Sequence, residues 1–381
     1  MYNLISNMRK NYFLNIAKFI PKITCQFVIL THILPDRPEL LAAISKIAPI
    51  ALIIAIPYSI EKKIFTQLGE HYNLLALSLE EMSNPEILYQ KFIEQIDLET
   101  PLIILEIGGY FAPIVERLHS QLGNKLLGVI EDTETGHRQY EKLKTIPCPV
   151  VSVARSFLKE SEDCLIGESC LFSTENLIRK SGFLLDGKQI LILGFGKIGR
   201  GLGQALLHRG YHVSVYDIDP SKRVLALSAG LKIPIKEAAL QNADLIFGAT
   251  GNYSIEKEDF KHIKKSAILV SCSSKQLEFD MSYIKDNYIR ADIFNHYAKY
   301  SNNDNYFYLL ADGKPINFLD DGIIGPILAL VQAEIILSIK TLMDLDGKPG
   351  LYEVGSGDRR ILADLWLNHF LDPVSGSYLN G

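Results

Sequence analysis

The feature that most constrains the fold is a glycine-rich turn between two apolar segments of the chain. Residues 190–193 are apolar and lead into residues 194–199, which read GFGKIG. A segment of helical length follows, and a second apolar segment, residues 212–216, ends at Asp217. A strand, a turn with this glycine spacing, a helix and an acidic residue about 20 positions further on form the pattern of a dinucleotide-binding βαβ unit.

Each glycine of the turn has a separate physical task in such a unit. Gly194 permits the tight turn, Gly196 lets backbone N–H groups approach a pyrophosphate, and Gly199 lets the helix pack closely on the strand. The helix N-terminus adds partial positive charge beside the phosphates. Asp217 can accept hydrogen bonds from both ribose hydroxyls and would repel a 2′-phosphate, so the sequence predicts NAD rather than NADP. The predicted NAD contacts in this stretch are Gly194, Phe195, Gly196, Lys197, Ile198, Gly199 and Asp217.

The composition restricts the class of protein and its partners. A chain of 381 residues suggests two domains, and 48% hydrophobic residues can form sizeable cores. The formal net charge of −5 argues against nucleic acid or an anionic membrane as the main partner. The five cysteines form no C-x-x-C pair, so neither a disulfide framework nor a metal site is predicted, and we expect a reducing, cytoplasmic setting.

Two segments need to be distinguished from targeting or membrane signals. Residues 1–22 are basic and partly amphipathic, and they lack the compact apolar region and small-residue cleavage site of a signal peptide. The apolar residues 47–58 are interrupted by Pro49 and Pro57 and are too few to span a bilayer. We therefore expect a starting helix, a buried strand and no membrane partner.

Apolar runs and helical periodicity alternate along the first half of the chain. Runs typical of buried parallel strands occur at residues 27–30, 51–56, 102–105, 125–130 and 150–153. Segments with helical periodicity separate them, and the long segment 158–180 also reads as a helix. This alternation predicts an α/β domain that precedes the dinucleotide-binding unit.

The fold class predicted from all these segments is α/β with two domains. After the glycine-rich turn, further strands are expected at residues 243–249 and 267–271. The apolar, periodic residues 326–342 predict a buried helix that returns to the first domain, and residues 347–360 read as a loop. The predicted boundaries are 1–170 for a substrate-type α/β domain, 171–326 for an inserted Rossmann NAD-binding domain, and 327–381 for a C-terminal helical segment packed on the first domain.

Four further motifs occur in a fixed order with the glycine-rich turn. They are EIGG at residues 106–109, GVIEDTETG at 128–136, ADLIFGATGN at 243–252 and ADGKPIN at 311–317. In order and spacing, these segments resemble the S-adenosylhomocysteine hydrolase family over nearly the whole chain. The resemblance implies an enzyme in which a tightly held NAD oxidises a ribose hydroxyl to a ketone, so that a thiol can be eliminated.

The resemblance implies catalytic roles for four residues. Lys159 and Asp163 match the family's lysine and aspartate that hold the sugar hydroxyls, and a spacing of four places both on one side of the predicted helix. A partly desolvated lysine beside the positive nicotinamide loses its proton more readily, so Lys159 is the expected base. His32 matches a histidine that follows a strand of the substrate domain, and Asp132 matches a carboxylate of the family's site.

The resemblance also extends the predicted cofactor site. Thr133, Glu134 and Thr135 match three threonines that contact the nicotinamide half of NAD. Thr250 and Asn317 match polar groups that line the cofactor cleft. The alternative role for each of these side chains is to cap a helix or a turn. The alternative role for Lys159 and Asp163 is a surface ion pair on one face of the helix.

The departures from the family pattern lie on the substrate side. Ile107 stands in place of an aspartate, Cys164 in place of an asparagine, and Ser274 in place of a histidine. The family's C-terminal Lys/Tyr tail is missing, since residues 377–381 read SYLNG. Apolar replacements in a hydrogen-bonding site reject the original substrate, so we expect poor turnover of S-adenosylhomocysteine.

Three functions remain open from the sequence. The first is a reshaped NAD-dependent enzyme that oxidises a secondary alcohol of a nucleoside-like or other small polar substrate. The second is genuine S-adenosylhomocysteine hydrolysis, with His32 or Cys272 as replacement acid/base groups. The third is a catalytically silent, NAD-binding regulatory protein. A homo-oligomer is also open, because residues 326–342 are either core or a dimer seam.

Overall fold

The computed structural model describes residues 2–273, 277–320 and 324–371. The strands are β1 (Gln26–Ile33), β2 (Ile50–Ile60), β3 (Leu74–Ala76), β4 (Leu102–Glu106), β5 (Leu126–Glu131), β6 (Pro149–Ser152), β7 (Gln189–Leu193), β8 (His212–Tyr216), β9 (Leu245–Gly248), β10 (Ile268–Ser271), β11 (Ile289–Phe294), β12 (Tyr297–Ser301), β13 (Tyr306–Leu310) and β14 (Gly350–Tyr352). The helices are α1 (Tyr2–Ala17), α2 (Arg37–Ile44), α3 (Lys62–Gly69), α4 (Leu79–Ser83), α5 (Pro85–Ile93), α6 (Val115–Leu122), α7 (Glu134–Glu141), α8 (Leu158–Lys180), α9 (Lys197–His208), α10 (Pro220–Ser228), α11 (Lys236–Asn242), α12 (Met281–Asn287), α13 (Ile327–Asp344) and α14 (Ser356–Phe370).

The chain forms two compact units, and the α/β class predicted from the sequence is confirmed. The first unit contains residues 1–159 and 325–381, and the second contains residues 160–324. The first boundary lies at the start of α8, not at residue 170 where the sequence placed it, because the helix carries no break in its pattern that marks a change of unit. The return to the first unit comes at residue 325, close to the predicted 327.

The first unit is built on a parallel sheet with apolar residues on both faces. Its strand order is β14-β6-β5-β4-β1-β2-β3, and each neighbouring pair is parallel. Phe27 and Ile29 of β1 pack in a core with α1, α2, α13 and α14, whereas Val28 and Leu30 pack with α5 and α6 on the other face. Burial on both faces explains why these strands read as unbroken apolar runs.

The C-terminal part of the first unit differs from its sequence prediction in one element. Helix α13 is buried along most of its length, as predicted, and packs beside β5 and β6. Residues 350–352, predicted as loop, form β14 and extend the sheet beside β6. The strand is only three residues long and contains a glycine, so its sequence carries no strand signal of its own.

The second unit is a mixed sheet that contains the glycine-rich turn. Its order is β11-β12-β13-β10-β9-β7-β8, in which β13, β10, β9, β7 and β8 are parallel neighbours. The strands β11 and β12 form an antiparallel extension at one edge, which the sequence reading did not include. Within the described ranges, no helix combines the length and apolar character needed to cross a bilayer.

Candidate functional site

The glycine-rich turn follows β7 directly, and two of its glycines are required by close contacts. Gly194 has a φ of 96°, and a Cβ atom there would lie 2.6 Å from the carbonyl oxygen of Ala249. A Cβ atom on Gly199 would lie 2.1 Å from the carbonyl oxygen of Gly194. Both tasks predicted for these glycines, the tight turn and the close packing of α9 on the turn, therefore match the geometry.

Gly196 has the opposite environment, because it borders open space. A Cβ atom at this position would meet no described heavy atom within 4 Å. Gly196 is also the N-cap of α9, where no side chain of the described residues caps the helix. The N-terminus of a 12-residue helix thus borders open space, and a helix N-terminus favours an anion such as a pyrophosphate.

Three neighbours of these glycines also belong to the predicted cofactor set. Phe195 is buried in the core of the second unit, and Ile198 packs against the same core. The Nζ atom of Lys197 lies 3.5 Å from the Oδ2 atom of Asp163, which places this predicted catalytic aspartate beside the turn. Phe195 and Ile198 thus shape the turn through packing, whereas Lys197 adds a positive charge at the helix N-terminus.

Asp217 lies just beyond β8 and is held beside the turn. Its Oδ2 atom accepts a hydrogen bond from the Phe195 N–H at 2.7 Å, and its Oδ1 atom accepts one from the Asp219 N–H at 2.9 Å. The Lys222 ammonium lies 3.8 Å from the same carboxylate. An ionised carboxylate offers about four acceptor positions, so two remain for ribose hydroxyls. The residues of the turn and Asp217 therefore fit NAD.

A buried glutamate that the sequence reading missed organises the loop after β9. Glu278 accepts hydrogen bonds from the N–H groups of Thr250 and Gly251 at 2.8 and 2.7 Å, and from the Thr250 hydroxyl at 2.8 Å. Burial raises the pKa of Glu278, and these hydrogen bonds oppose the rise. Because Thr250 is already bound by this carboxylate, its contact with NAD stays a prediction.

Two other sequence-predicted residues of the second unit are buried. Asn317 is buried in a short 3-10 helix, Ile316–Asp320, and its cofactor role stays a prediction. Cys272, a candidate acid/base group, is buried at the end of β10. Burial, followed by a hydrogen bond with Cys170, raises the pKa of Cys272 well above its ordinary value. Cys272 is therefore a neutral thiol at neutral pH and a poor proton carrier.

In the first unit, three predicted catalytic residues lie at the carboxyl edge of the sheet. The Lys159 Nζ atom is 2.6 Å from the Oδ1 atom of Asp132, which follows β5. The Lys159 side chain is buried, with 8% of its surface exposed. The charges of both residues act on His32, in β1. The structure therefore pairs Lys159 with Asp132, whereas Asp163 belongs to the second unit.

His32 is a buried, neutral imidazole. Burial, followed by the nearby charge of Arg37, lowers its pKa to about 3. Its Nδ1 atom shares a hydrogen bond with the Ser59 hydroxyl. At neutral pH this imidazole can donate or accept one hydrogen bond at each nitrogen but carries no charge.

Arg37 is a site residue that the sequence reading missed. It is buried at the first turn of α2, and its Nη1 atom is 2.7 Å from the Oδ2 atom of Asp36. Its Nε atom has no hydrogen-bond partner among the described residues. Arg37, Thr31, Glu106 and Asp132 are the polar residues that line a small cavity of about 30 Å³, and its other lining residues are aliphatic. A charged residue directly before a proline gave no signal of this burial in the sequence.

A second missed group, Glu131, ties two loops of the first unit together. Its Oε1 atom accepts hydrogen bonds from the Gly108 N–H at 3.0 Å and from the N–H and hydroxyl of Thr133 at 2.6 and 2.7 Å. Its Oε2 atom accepts one from the Gly109 N–H at 2.9 Å. Burial, followed by the charge of Glu106, raises the pKa of Glu131 to about 8. Glu106 itself accepts hydrogen bonds from the Phe111 N–H and the Tyr140 hydroxyl.

The predicted nicotinamide contacts, Thr133, Glu134 and Thr135, lie at the start of α7 in the first unit. The Thr133 hydroxyl caps this helix by accepting a hydrogen bond from the Gly136 N–H at 3.1 Å. The Glu134 carboxylate is paired with Arg138 at 2.9 Å and with Arg155 at 3.0 Å. The cap and ion-pair roles are thus realised in the structure, and contact of these residues with NAD stays a prediction.

The residues that depart from the family pattern are placed only in part. Ile107 lines the small cavity of the first unit, and Cys164 is exposed on α8. Ser274 and residues 377–381 lie outside the described residues. Within the described ranges, no group of three or more His, Cys, Asp or Glu side chains has the arrangement of a metal site.

Comparison with known proteins identifies the cofactor domain. Residues 169–321 match the family model described as the NAD-binding domain of S-adenosyl-L-homocysteine hydrolase. The second unit is an NAD-binding domain. The match coincides with the unit that contains the glycine-rich turn and Asp217, and it supports the cofactor predicted from them.

Several solved structures match this chain at low similarity. The phosphoglycerate oxidoreductase of Vibrio cholerae O395 is 14% identical, with 69% of this chain and 80% of that chain covered and a TM-score of 0.41. A putative D-3-phosphoglycerate dehydrogenase of Ralstonia solanacearum is 10% identical, with 84% and 95% covered and a TM-score of 0.44. A D-2-hydroxyisocaproate dehydrogenase is 14% identical, with 69% and 74% covered and a TM-score of 0.37. At these values the similarity says nothing about substrate.

The predicted membership of the S-adenosylhomocysteine hydrolase family over nearly the whole chain is wrong. The family match covers residues 169–321, which is less than half of the chain, and it is to the NAD-binding domain. Nucleotide-binding domains serve many reactions, so motifs gathered around a glycine-rich turn indicate the cofactor and not the chemistry.

Proposed function

We propose that this protein is an NAD-dependent oxidoreductase that interconverts a secondary alcohol and a ketone on a small polar substrate. The observation that carries the proposal is the turn at residues 194–199, with open space at Gly196 and an uncapped helix N-terminus beside Asp217. NAD, when bound, supplies the hydride acceptor for such a reaction. The residues of the chain then have to bind the substrate and carry the hydroxyl proton.

We assign the proton to the Lys159–Asp132 pair. Oxidation of a secondary alcohol releases a hydride, which bound NAD would accept, and a hydroxyl proton, which a base of the protein would have to take. The Lys159 Nζ atom exchanges protons with the substrate oxygen, and Asp132, at 2.6 Å, orients the amine and stabilises its charged form. His32, neutral at neutral pH, contributes a hydrogen bond to the same oxygen or to its neighbour.

The proposal is tested by incubating the full chain with NAD and a panel of secondary alcohols. Formation of NADH is followed by its near-ultraviolet absorbance. We expect at least one small polar alcohol to give turnover, and Lys159→Met to lower kcat about 100-fold or more without weakening NAD binding. The matched control is Lys125→Met, since Lys125 also lies 2.6 Å from a carboxylate, that of Glu99, but is half exposed.

Two outcomes contradict the proposal. The first is that NAD binds but no alcohol reduces it and no ketone oxidises NADH, which would favour the catalytically silent, NAD-binding alternative. The second is that Lys159→Met keeps the same kcat as Lys125→Met, which would show that Lys159 does not carry the proton.

A further inference from the structure

The edge strand of the second unit is the feature that carries a further inference. Strand β11, Ile289–Phe294, lies at the end of the seven-stranded sheet and pairs only with β12 among the described strands. All six of its residues are exposed, including Ile289 at 76% and Ile293 at 49%. An exposed edge of this kind presents a row of backbone N–H and C=O groups that can pair with another strand.

The sequence of β11 is self-complementary about its centre. Reading outward from Ala291, Arg290 is matched by Asp292, and Ile289 is matched by Ile293. When two copies of an antiparallel strand pair around a two-fold axis at Ala291, each residue faces the residue equally far on the other side of that centre. Each arginine would then face an aspartate of the other copy, and each Ile289 would face an Ile293.

We propose that β11 pairs with β11 of a second copy of this chain, around a two-fold axis at Ala291. The two NAD-binding sheets then join into one continuous sheet. This proposal is independent of the proposed reaction, since it concerns only the edge of the second unit.

Neighbouring registers are disfavoured by charge. An axis at Arg290 places two arginines opposite each other, and an axis at Asp292 places two aspartates opposite each other. Like charges in directly opposed positions destabilise a strand pair, whereas opposite charges stabilise it. The order of residues therefore selects the axis at Ala291. Moving the axis by one residue shifts the register by two positions and leaves each side chain on its own face, so the opposed charges decide between these registers.

The side chains on the two faces of β11 fit this pairing. Residues alternate between faces along a strand, so Ile289 and Ala291 share one face while Arg290 and Asp292 share the other. The Arg290 Nη2 atom lies 2.7 Å from the Oδ1 atom of Asp292 and 3.2 Å from that of Asp312. In the paired form, the charged clusters of the two copies lie side by side on one face of the joined sheet. The isoleucines form an apolar strip on the other face.

An irregularity limits how far the pairing extends. The register of β11 against β12 shifts between Asp292 and Phe294, which makes Ile293 the extra residue of a bulge. The regular part of the strand is therefore Ile289 to Asp292, and the core of the proposed contact is Arg290, Ala291 and Asp292 of each copy. The isoleucines flank this core at both ends.

The experiment is a charge exchange read out by oligomeric state. The mass of the full chain is measured by light scattering after size-exclusion chromatography, and the dissociation constant by sedimentation. We expect a dimer whose dissociation constant rises about tenfold or more in Arg290→Asp and in Asp292→Arg, because each change turns two attractive pairs into repulsive ones. The double variant Arg290→Asp/Asp292→Arg restores the opposed charges and is expected to return to the dimer.

Controls separate this contact from a change in folding. Lys265→Asp reverses another exposed charge, outside β11, and should leave the dimer unchanged. Each variant should keep the circular dichroism and the NAD affinity of the unchanged chain. A monomeric native chain, a dimer unaffected by the single reversals, or a double variant that does not regain the dimer would each overturn the proposal. So would a complex in which the mass shows a different protein as the partner.

Discussion

The two units use the same local arrangement in different ways. In the first unit the turn after β4 contains Gly108 and Gly109, and the N–H groups of both donate to Glu131 at the end of the neighbouring strand. In the second unit the turn after β7 contains Phe195, whose N–H donates to Asp217 just beyond the neighbouring strand. In each case a carboxylate from an adjacent strand holds a glycine-rich turn at the carboxyl edge of a parallel sheet.

The difference lies in what remains available to a ligand. A Cβ atom on Gly109 would lie 2.7 Å from the Cα atom of Gly136, so the turn of the first unit is filled by the chain itself. A Cβ atom on Gly196 would meet no described atom within 4 Å. Backbone N–H groups at a strand end therefore serve as a structural anchor where a side chain of the protein accepts them, and as an anion site where none does.

The largest expected effect comes from removing the anchor of the first unit. Glu131→Ala leaves three N–H groups and the Thr133 hydroxyl without their acceptor, and should lower the free energy of unfolding by about 3–5 kcal/mol. Asp217→Ala removes an acceptor from two N–H groups and should cost about 1–2 kcal/mol. Urea denaturation followed by circular dichroism measures both. Equal losses would break the comparison between the two turns.

The next effect concerns the open glycine. Gly196→Val fills the space intended for the pyrophosphate and should weaken NAD binding about 100-fold or more while the melting temperature stays nearly unchanged. Gly199→Val should instead impair folding, because its side chain would collide with the Gly194 carbonyl. Gly357→Val is the control, since a Cβ atom there also meets nothing within 4 Å and it lies in the first unit. Calorimetry with NAD and thermal melting distinguish the three, and loss of NAD binding in the control variant would contradict the assignment.

A pH effect of intermediate size is expected from His32. Its pKa of about 3 in the folded protein lies below the ordinary 6.5, so the unfolded chain takes up the proton first as the pH falls. This group therefore stabilises the fold fully above pH 6.5, and its contribution is lost at up to about 1.4 kcal/mol per pH unit as the pH falls toward 3.

His32→Asn isolates this contribution from the other titrating groups. Glu131 acts in the opposite sense, because its raised pKa removes stability as the pH rises from 4.5 through about 8. The native chain and the variant share Glu131, so the difference between their unfolding free energies reports His32. A difference that does not change between pH 7 and pH 5 would contradict the buried, neutral imidazole.

The smallest effect separates the two dinucleotides. Asp217→Asn keeps an acceptor for the Phe195 N–H but removes the charge that repels a 2′-phosphate. We expect the ratio of NADP to NAD affinity to rise about tenfold, with Lys222 available to the phosphate at the position where it now approaches the carboxylate. Competition between the two dinucleotides measures the ratio. An unchanged ratio would mean that another group selects the cofactor.

The parts of the molecule that the sequence predicted are those with local signals. The strands β1, β2, β4 and β5 are buried on both faces and therefore appear as apolar runs, and the three glycines of the turn have the environments that their spacing predicted. The β14 strand and the β11–β12 extension were missed. The β14 strand is very short, and in the extension β11 is exposed on every residue while β12 mixes buried and half-buried residues. Neither has an apolar run or a clean alternation to indicate a strand.

The missed site residues share a physical reason. Glu131, Glu278 and Arg37 are charged residues that are buried because distant parts of the chain supply their partners or surround them. A sequence shows a charged residue but not the distant groups that bond to it or surround it, so such residues are interpreted as surface positions. The family resemblance extended too far, because it was carried by motifs from both units whereas the family match is to the NAD-binding domain at residues 169–321.

The most direct test of the account is calorimetric titration of the full chain with NAD and with NADP, alongside the same titrations of Gly196→Val. We predict one NAD site per chain, markedly weaker binding of NADP, and loss of NAD binding in the variant at an unchanged melting temperature. An absence of heat and of thermal stabilisation with NAD, or binding that is equal in the variant, would contradict the claim that the open turn at Gly196 is the dinucleotide site.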